Sequence, residues 1–192
     1  MYQPHHLKPA DLPYNIEAPG AKKAIFFFFI RLAVSFAAWY FIAGTFLKPD
    51  RIIDYPLTNF ITVAVVKTVN FLSPAAAPLS WTENKKKPGN NLVQNHKAVL
   101  GVYDSCNSID LIFTYVIVIL LLPYPSKRKM LFSLGGIIVI TIMNIIRIVA
   151  LYYIYIYQKD AFFFSHEYLF TVLMDVLIFC GWLLFIKKKA VV

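Results

Sequence analysis

The run LFSLGGIIVITIMNIIRIVALYYIYIY, residues 131–157, carries one charge, Arg147, and one side-chain amide, Asn144. A bilayer core of about 30 Å needs roughly 20 apolar residues in a helix, and this run exceeds that length. Further apolar runs lie at 24–47 and 168–186, with a shorter one at 109–122 that must borrow flanking residues or sit in a thinned bilayer. The 192 residues are 59% hydrophobic and 15% charged, with a mean hydropathy of +0.61, too apolar and too charge-poor for a soluble domain. The expected fold class is an all-α integral membrane protein: a bundle of four transmembrane helices with a small extracytoplasmic loop or β-hairpin. Residues 57–72 are ambiguous, because Lys67, Asn59, Asn70 and three threonines break the apolar pattern. They can form a fifth span, a re-entrant segment or an interfacial helix.

Residues 1–23 read as a proline-bearing cytoplasmic or disordered tail without helical period, and 24–192 as a single transmembrane domain with an extracytoplasmic loop at 73–105. The first apolar run lacks a small-residue cleavage pattern, so it reads as an uncleaved anchor. A net charge of +9 raises nucleic acid as a partner, yet the cations cluster beside apolar runs, as at Lys127, Arg128 and Lys129 and at Lys187, Lys188 and Lys189. That is charge that sets topology, and it argues for a lipid bilayer as partner and against nucleic acid. Both clusters belong on the cytoplasmic side, and the two spans between them make the assignments agree. Lys85, Lys86 and Lys87 then fall outside, which a long loop tolerates.

This topology gathers three reactive residues at the outer face. Cys106 precedes the 109–122 run, and Arg147 lies about 24 Å along the helix that begins at Leu131. His166 opens the last helix on the same side. Cys180 sits near the opposite end of its helix, beyond the Cα separation of about 7 Å that a disulfide allows. Cys106 is therefore an unpaired thiol, set among Asp104, Ser105, Asn107 and Ser108 rather than inside an apolar run.

Each of these residues has a plain structural reading beside the chemical one. A membrane-protein cysteine commonly packs as a small apolar residue, but Asp104 or Ser105 can cap the following helix and place the thiol near its positive end, which favours thiolate. Asp104 and Asp110 oppose that, so a nearby cation is needed. Arg147 either snorkels to the headgroups or faces the interior, and Asn144, three residues earlier on the same face, favours the interior. Arg31 lacks such company and reads as a snorkeller. His166 is either a solvated boundary residue or an acid–base group. Asp175 in mid-helix reads as paired with a polar group in the bundle. No HExxH, GxSxG, Walker loop, CxxC or GxGxxG is present, and His5, His6 and His96 show no ligand spacing, so no metal or cofactor is expected.

Cys106-Asn107-Ser108 at the mouth of one span, Asn144-Ile145-Ile146-Arg147-Ile148 in the next and His166 at the head of the last resemble the exosortase/archaeosortase family of membrane transpeptidases. The likeness covers about 99–186, and Ser108 stands where that family commonly has glycine. The resemblance implies a thiol protease and transpeptidase of the cell inner membrane, multi-pass, with its site facing the periplasm or exterior. Its substrates would be exported proteins with a C-terminal sorting signal: a recognition motif, a transmembrane helix and a basic tail. It further implies Cys106 as nucleophile, His166 as general acid and base and Arg147 as stabiliser of thiolate or oxyanion, with Asn144, Asn107 and Asp104 in support. The thioester product would pass to an acceptor, with lipid or glycan among the candidates, or to water. The alternative is a non-enzymatic membrane scaffold or small transporter subunit, which predicts that Cys106 can be replaced without loss. Residues 97–103 are apolar and β-prone after a turn-like 87–91, so they can form a hairpin leading into Cys106, either as a lid or as an edge for an added substrate strand.

Overall fold

The computed structural model describes residues 21–74 and 76–187. The expected tail therefore lies outside the described residues up to position 20, and Lys22 and Lys23 already belong to the first helix. The chain forms α1 (Ala21–Ile42, continued by a π-helical turn Ala43–Leu47), α2 (Asp54–Leu72), β1 (Ser80–Glu83), β2 (Gly89–Gln94) and β3 (Lys97–Tyr103). A 3-10 turn, Asp104–Cys106, leads into α3 (Ile109–Leu121) and α4 (Ser126–Tyr157). The chain ends in α5 (Lys159–Phe164), a π-helical turn Ser165–Leu169 and α6 (Phe170–Lys187).

Three helical segments are long and apolar enough to cross a membrane: Lys22–Leu47, Ser126–Tyr157 and Lys159–Lys187. With 13 residues, α3 spans about 20 Å, some 10 Å short of a bilayer core. Its limits are set by the turn at Asn107–Ser108 before it and by the proline-bearing connection to α4 after it, so it borrows no flanking helix.

Apart from the exposed Lys67, the polar residues that interrupt 57–72 help form the packing face of α2. Asp54, Thr58 and Thr62 recur at four-residue spacing and are buried, placing one hydrophilic stripe inside. Asn90 of β2 donates to Asn59 (2.8 Å) and Thr62 (3.1 Å). Asn70 takes both backbone groups of Leu79, donating to its carbonyl and accepting its N–H, as a neighbouring strand would. The stripe thus satisfies buried polar groups that would otherwise each cost about 1–3 kcal/mol. Apolar residues of the same helix, Ile61, Val65 and Val69, join Leu79, Leu92 and Val102 of the sheet segment and Ile148, Val149 and Tyr152 of α4 in one core cluster.

The three strands form an antiparallel sheet in the order β1-β2-β3, larger than a lone hairpin. The β2–β3 turn falls at Asn95–His96, both at positive φ, the backbone that a two-residue hairpin loop needs. The turn-like 87–91 instead ends the β1–β2 connection and opens β2.

A second core cluster joins α3, α4 and α6 through Tyr115, Ile119, Ile140, Met174, Ile178 and Phe185. The Tyr115 ring lies over Gly136 and Gly181, where an added Cβ would come within 1.8 and 2.7 Å of it. α1 is mostly exposed and joins α3 by the stack of Trp39 on Phe113 (4.3 Å between centroids), with Asp110 holding Trp39 Nε1 (3.1 Å) and Lys48 (3.6 Å). Asp175 is exposed on α6 rather than paired in the bundle: the inward stripe runs through Met174 and Ile178, and residue 175 is turned about 100° from it.

Candidate active site

Cys106 ends the 3-10 turn that leaves β3, and its position is fixed by both neighbours and by α4. Asn107, 1% exposed, donates to Asp54 (2.7 Å) and accepts the N–H of Ile109 (3.0 Å). Its side chain therefore takes up a donor of α3, the role expected of Asp104 or Ser105. Ser108 follows at φ 64, ψ 16, a left-handed conformation that glycine adopts without penalty. This gives a physical reason for glycine to suit the position. Asn144 of α4, fully buried, donates to the Cys106 carbonyl at 2.8 Å. Because α4 rises 1.5 Å per residue, this bond holds the thiol loop about 27 Å from Ser126.

Asp104 stands two residues from the thiol, yet its charge is already matched. Arg51, in the α1–α2 loop, donates to both its oxygens (Nε–Oδ2 2.6 Å, Nη2–Oδ1 3.0 Å), and Thr58 adds a third bond at 2.8 Å. The hydrogen bond and charge of Asp104 hold the Arg51 guanidinium above its ordinary pKa. Arg51 also reaches Glu83 of β1 (3.2 Å) and covers the Tyr55 ring, so one side chain joins loop, helix, sheet and thiol turn. Arg51, Asp54 and Thr58 were not legible as site residues. Arg51 follows Lys48, Pro49 and Asp50, and reads as ordinary loop charge until the fold brings Asp104 to it.

One cavity of about 310 Å³ is lined by Cys106 and Ser105, Arg147, Ile148 and Leu151 of α4, Phe162 and His166, and the β3 residues Leu100, Gly101 and Tyr103. Arg147 is half-buried; its Nε is enclosed and has no hydrogen-bond partner among the described residues. His166 does not open its helix. It lies in a π-helical turn inside the continuous segment Lys159–Lys187, where one extra residue per turn shifts the side chains that follow. Its Nδ1 lies 3.1 Å from Glu167, and its ring stacks on Phe162. The three residues singled out from the sequence thus border the same space, and Asn144, Asn107 and Asp104 position the loop that carries the thiol.

Cys180 lines a different, apolar groove between α4 and α6, and neither cysteine is disulfide-bonded. Among the described residues no group of three or more His, Cys, Asp or Glu comes together as a metal site. No curated protein and no solved structure matches the chain. The transmembrane exosortase family profile matches residues 21–187, nearly the whole described chain. With its long apolar helices this makes the protein a multi-pass membrane protein, and the chain belongs to the transmembrane exosortase family.

Proposed function

We propose that this exosortase is a cysteine protease and transpeptidase that cleaves the C-terminal sorting signal of exported proteins on the outer side of the membrane. The observation that carries the reading is the shared cavity of Cys106, Arg147 and His166, drawn from three separate elements. The Cys106 thiolate attacks the scissile carbonyl carbon, forming a C–S bond and a tetrahedral oxyanion. The Arg147 guanidinium, with an unpartnered donor, stabilises that charge, a contribution of about 3–4 kcal/mol for a well-placed donor. Glu167 accepts the Nδ1 proton of His166, so Nε2 handles the transferred proton. Protonated His166 gives its proton to the departing amine as the C–N bond breaks, leaving a thioester on Cys106. Neutral His166 then takes a proton from an acceptor amine, hydroxyl or water, which attacks the thioester and expels the Cys106 thiolate, restoring the starting state.

Sidedness follows from charge. The Arg128 end of the bundle, where Arg128 donates to the Phe185 carbonyl and Lys129 to the Leu120 carbonyl, is cytoplasmic, and the sheet and Cys106 are outside.

The test is processing in the native host. Exported proteins ending in an apolar helix and basic tail are quantified by C-terminal peptide mass spectrometry. Cells carrying Cys106→Ser, Arg147→Ala or His166→Ala should accumulate intact tails. Normal processing with Cys106→Ser would contradict the reading and favour a scaffold.

A further inference from the structure

The cavity wall formed by β3 has a property the thiol chemistry does not use. β3 pairs with β2 alone, and its register runs Tyr103 opposite Gly89, Val102 opposite Asn90 and Gly101 opposite Asn91. The N–H of Asp104 donates to the carbonyl of Pro88, the next pair in that series. Antiparallel pairs alternate between bonded and non-bonded, so Val102 and Leu100 direct their backbone groups at β2, while Gly101 and Tyr103 direct theirs the other way. Both residues line the Cys106 cavity. Among the described residues, no side chain and no backbone group outside the sheet bonds to Gly101 or Tyr103.

Unpaired strand edges are normally blunted by charge, proline, shortness or a covering element. The opposite edge of this sheet follows that practice, since β1 has four residues and ends in Glu83. Residues 99–103, Val-Leu-Gly-Val-Tyr, carry neither charge nor proline. The far wall of the cavity is formed by Arg147, Leu151, Phe162 and His166, which leaves a gap beside the edge instead of a cover. The Tyr103 ring folds over Gly101, where a Cβ would lie 2.6 Å from it, so one face of the strand is closed while its edge stays open.

We propose that the peptide to be cleaved binds as a fourth strand on the free edge of β3, bonding to the outward backbone groups of Gly101 and Tyr103 and delivering its carbonyl to Cys106. The occupant is an extended segment of the substrate that precedes its membrane helix, so the proposal rests on the cysteine transpeptidase reading. Recognition through main-chain bonds is tolerant of side chains, and specificity then falls to the mainly apolar cavity beside the strand. Two residues separate Tyr103 from Cys106, so a strand paired there runs directly to the thiol.

The experiment uses full-length protein in detergent with two alkylating probes, acetyl-alanyl and acetyl-trialanyl chloromethyl ketone. In each the Cys106 thiolate displaces chloride to form a thioether, followed by intact mass in Cys180→Ala protein. The tripeptide should react about tenfold faster or more, the gain expected from two added backbone hydrogen bonds. N-methylation of the middle amide and of the two flanking amides should differ: one pattern abolishes the gain and the other leaves it, because a strand presents alternate amides to its partner. On the protein side, Tyr103→Pro removes one outward N–H at a φ of −91 that proline approaches, while Tyr103→Ala keeps it. The proline variant should lose the gain and the alanine variant retain it. Equal rates for the two probes, or loss of the gain by both methylation patterns alike, would overturn strand addition while leaving a reactive Cys106. Failure of both probes to alkylate Cys106 would overturn the thiol reading and this proposal with it.

Discussion

Ser108 and Asn144 show how single residues hold the thiol in place. Ser108 sits at φ 64, and its hydroxyl is buried without a partner. Ser108→Gly should therefore be neutral or stabilising by up to about 1 kcal/mol, whereas Ser108→Val, β-branched, should cost at least about 1–2 kcal/mol in thermal unfolding. Asn144→Ala removes the only side-chain bond to the Cys106 carbonyl among the described residues, and should cost about 1–3 kcal/mol. The same change should slow alkylation of Cys106 more than it lowers stability would suggest, because the loop loses its tether to α4. Cys106, Arg147 and His166 were legible because each is chemically out of place in an apolar chain. Their support was only partly so: Asn144 shares a helix face with Arg147, and that spacing is visible, but its bond to a backbone carbonyl 38 residues away is not.

Among the elements, α2 explains why its sequence is hard to read. Its threonines and asparagines weaken the apolar pattern of a span, yet they are the residues that bind β2, the Leu79 backbone and the thiol turn. Periodicity reports which face is apolar, and here the buried face is partly polar. The Arg51–Asp104 pair makes the dependence testable. Arg51→Ala leaves a carboxylate that is 14% exposed without its cation, which should cost about 1–2 kcal/mol and depress Cys106 reactivity. Arg51→Ala with Asp104→Asn should recover part of the stability, because the unpaired charge is gone. The Arg51 pKa is raised in the folded state, so its stabilising charge is fully present below its ordinary pKa and would be lost only above the raised one. Between roughly pH 6 and 9 the clamp therefore keeps its cation, and the stability it contributes should not change over that range. In the second core cluster, Gly136→Leu should destabilise strongly, since even a Cβ there meets the Tyr115 ring.

At the scale of the whole molecule, two differently built halves meet along α4. Its first half packs with α3 and α6 through apolar contacts, and its second half packs with α2 and the sheet around a mixed polar core. The long apolar helices were legible from hydropathy alone, whereas the three-stranded sheet was not, because β1 carries no alternating apolar pattern and exists by pairing with β2. The proposed sidedness predicts that Lys86→Cys, in the β1–β2 turn, reacts with an impermeant thiol reagent in intact cells. Ser126→Cys, at the start of α4, should react only after permeabilisation. An assembled nucleophile at Cys106 is read out by the rate at which a membrane-impermeant thiol reagent labels it in intact cells. The protein is Cys180→Ala, alone and with Arg147→Ala or His166→Ala. An assembled site labels rapidly from outside and loses that speed when either partner is removed. Slow labelling that ignores both substitutions would contradict it, leaving Cys106 a packing residue beside a cavity.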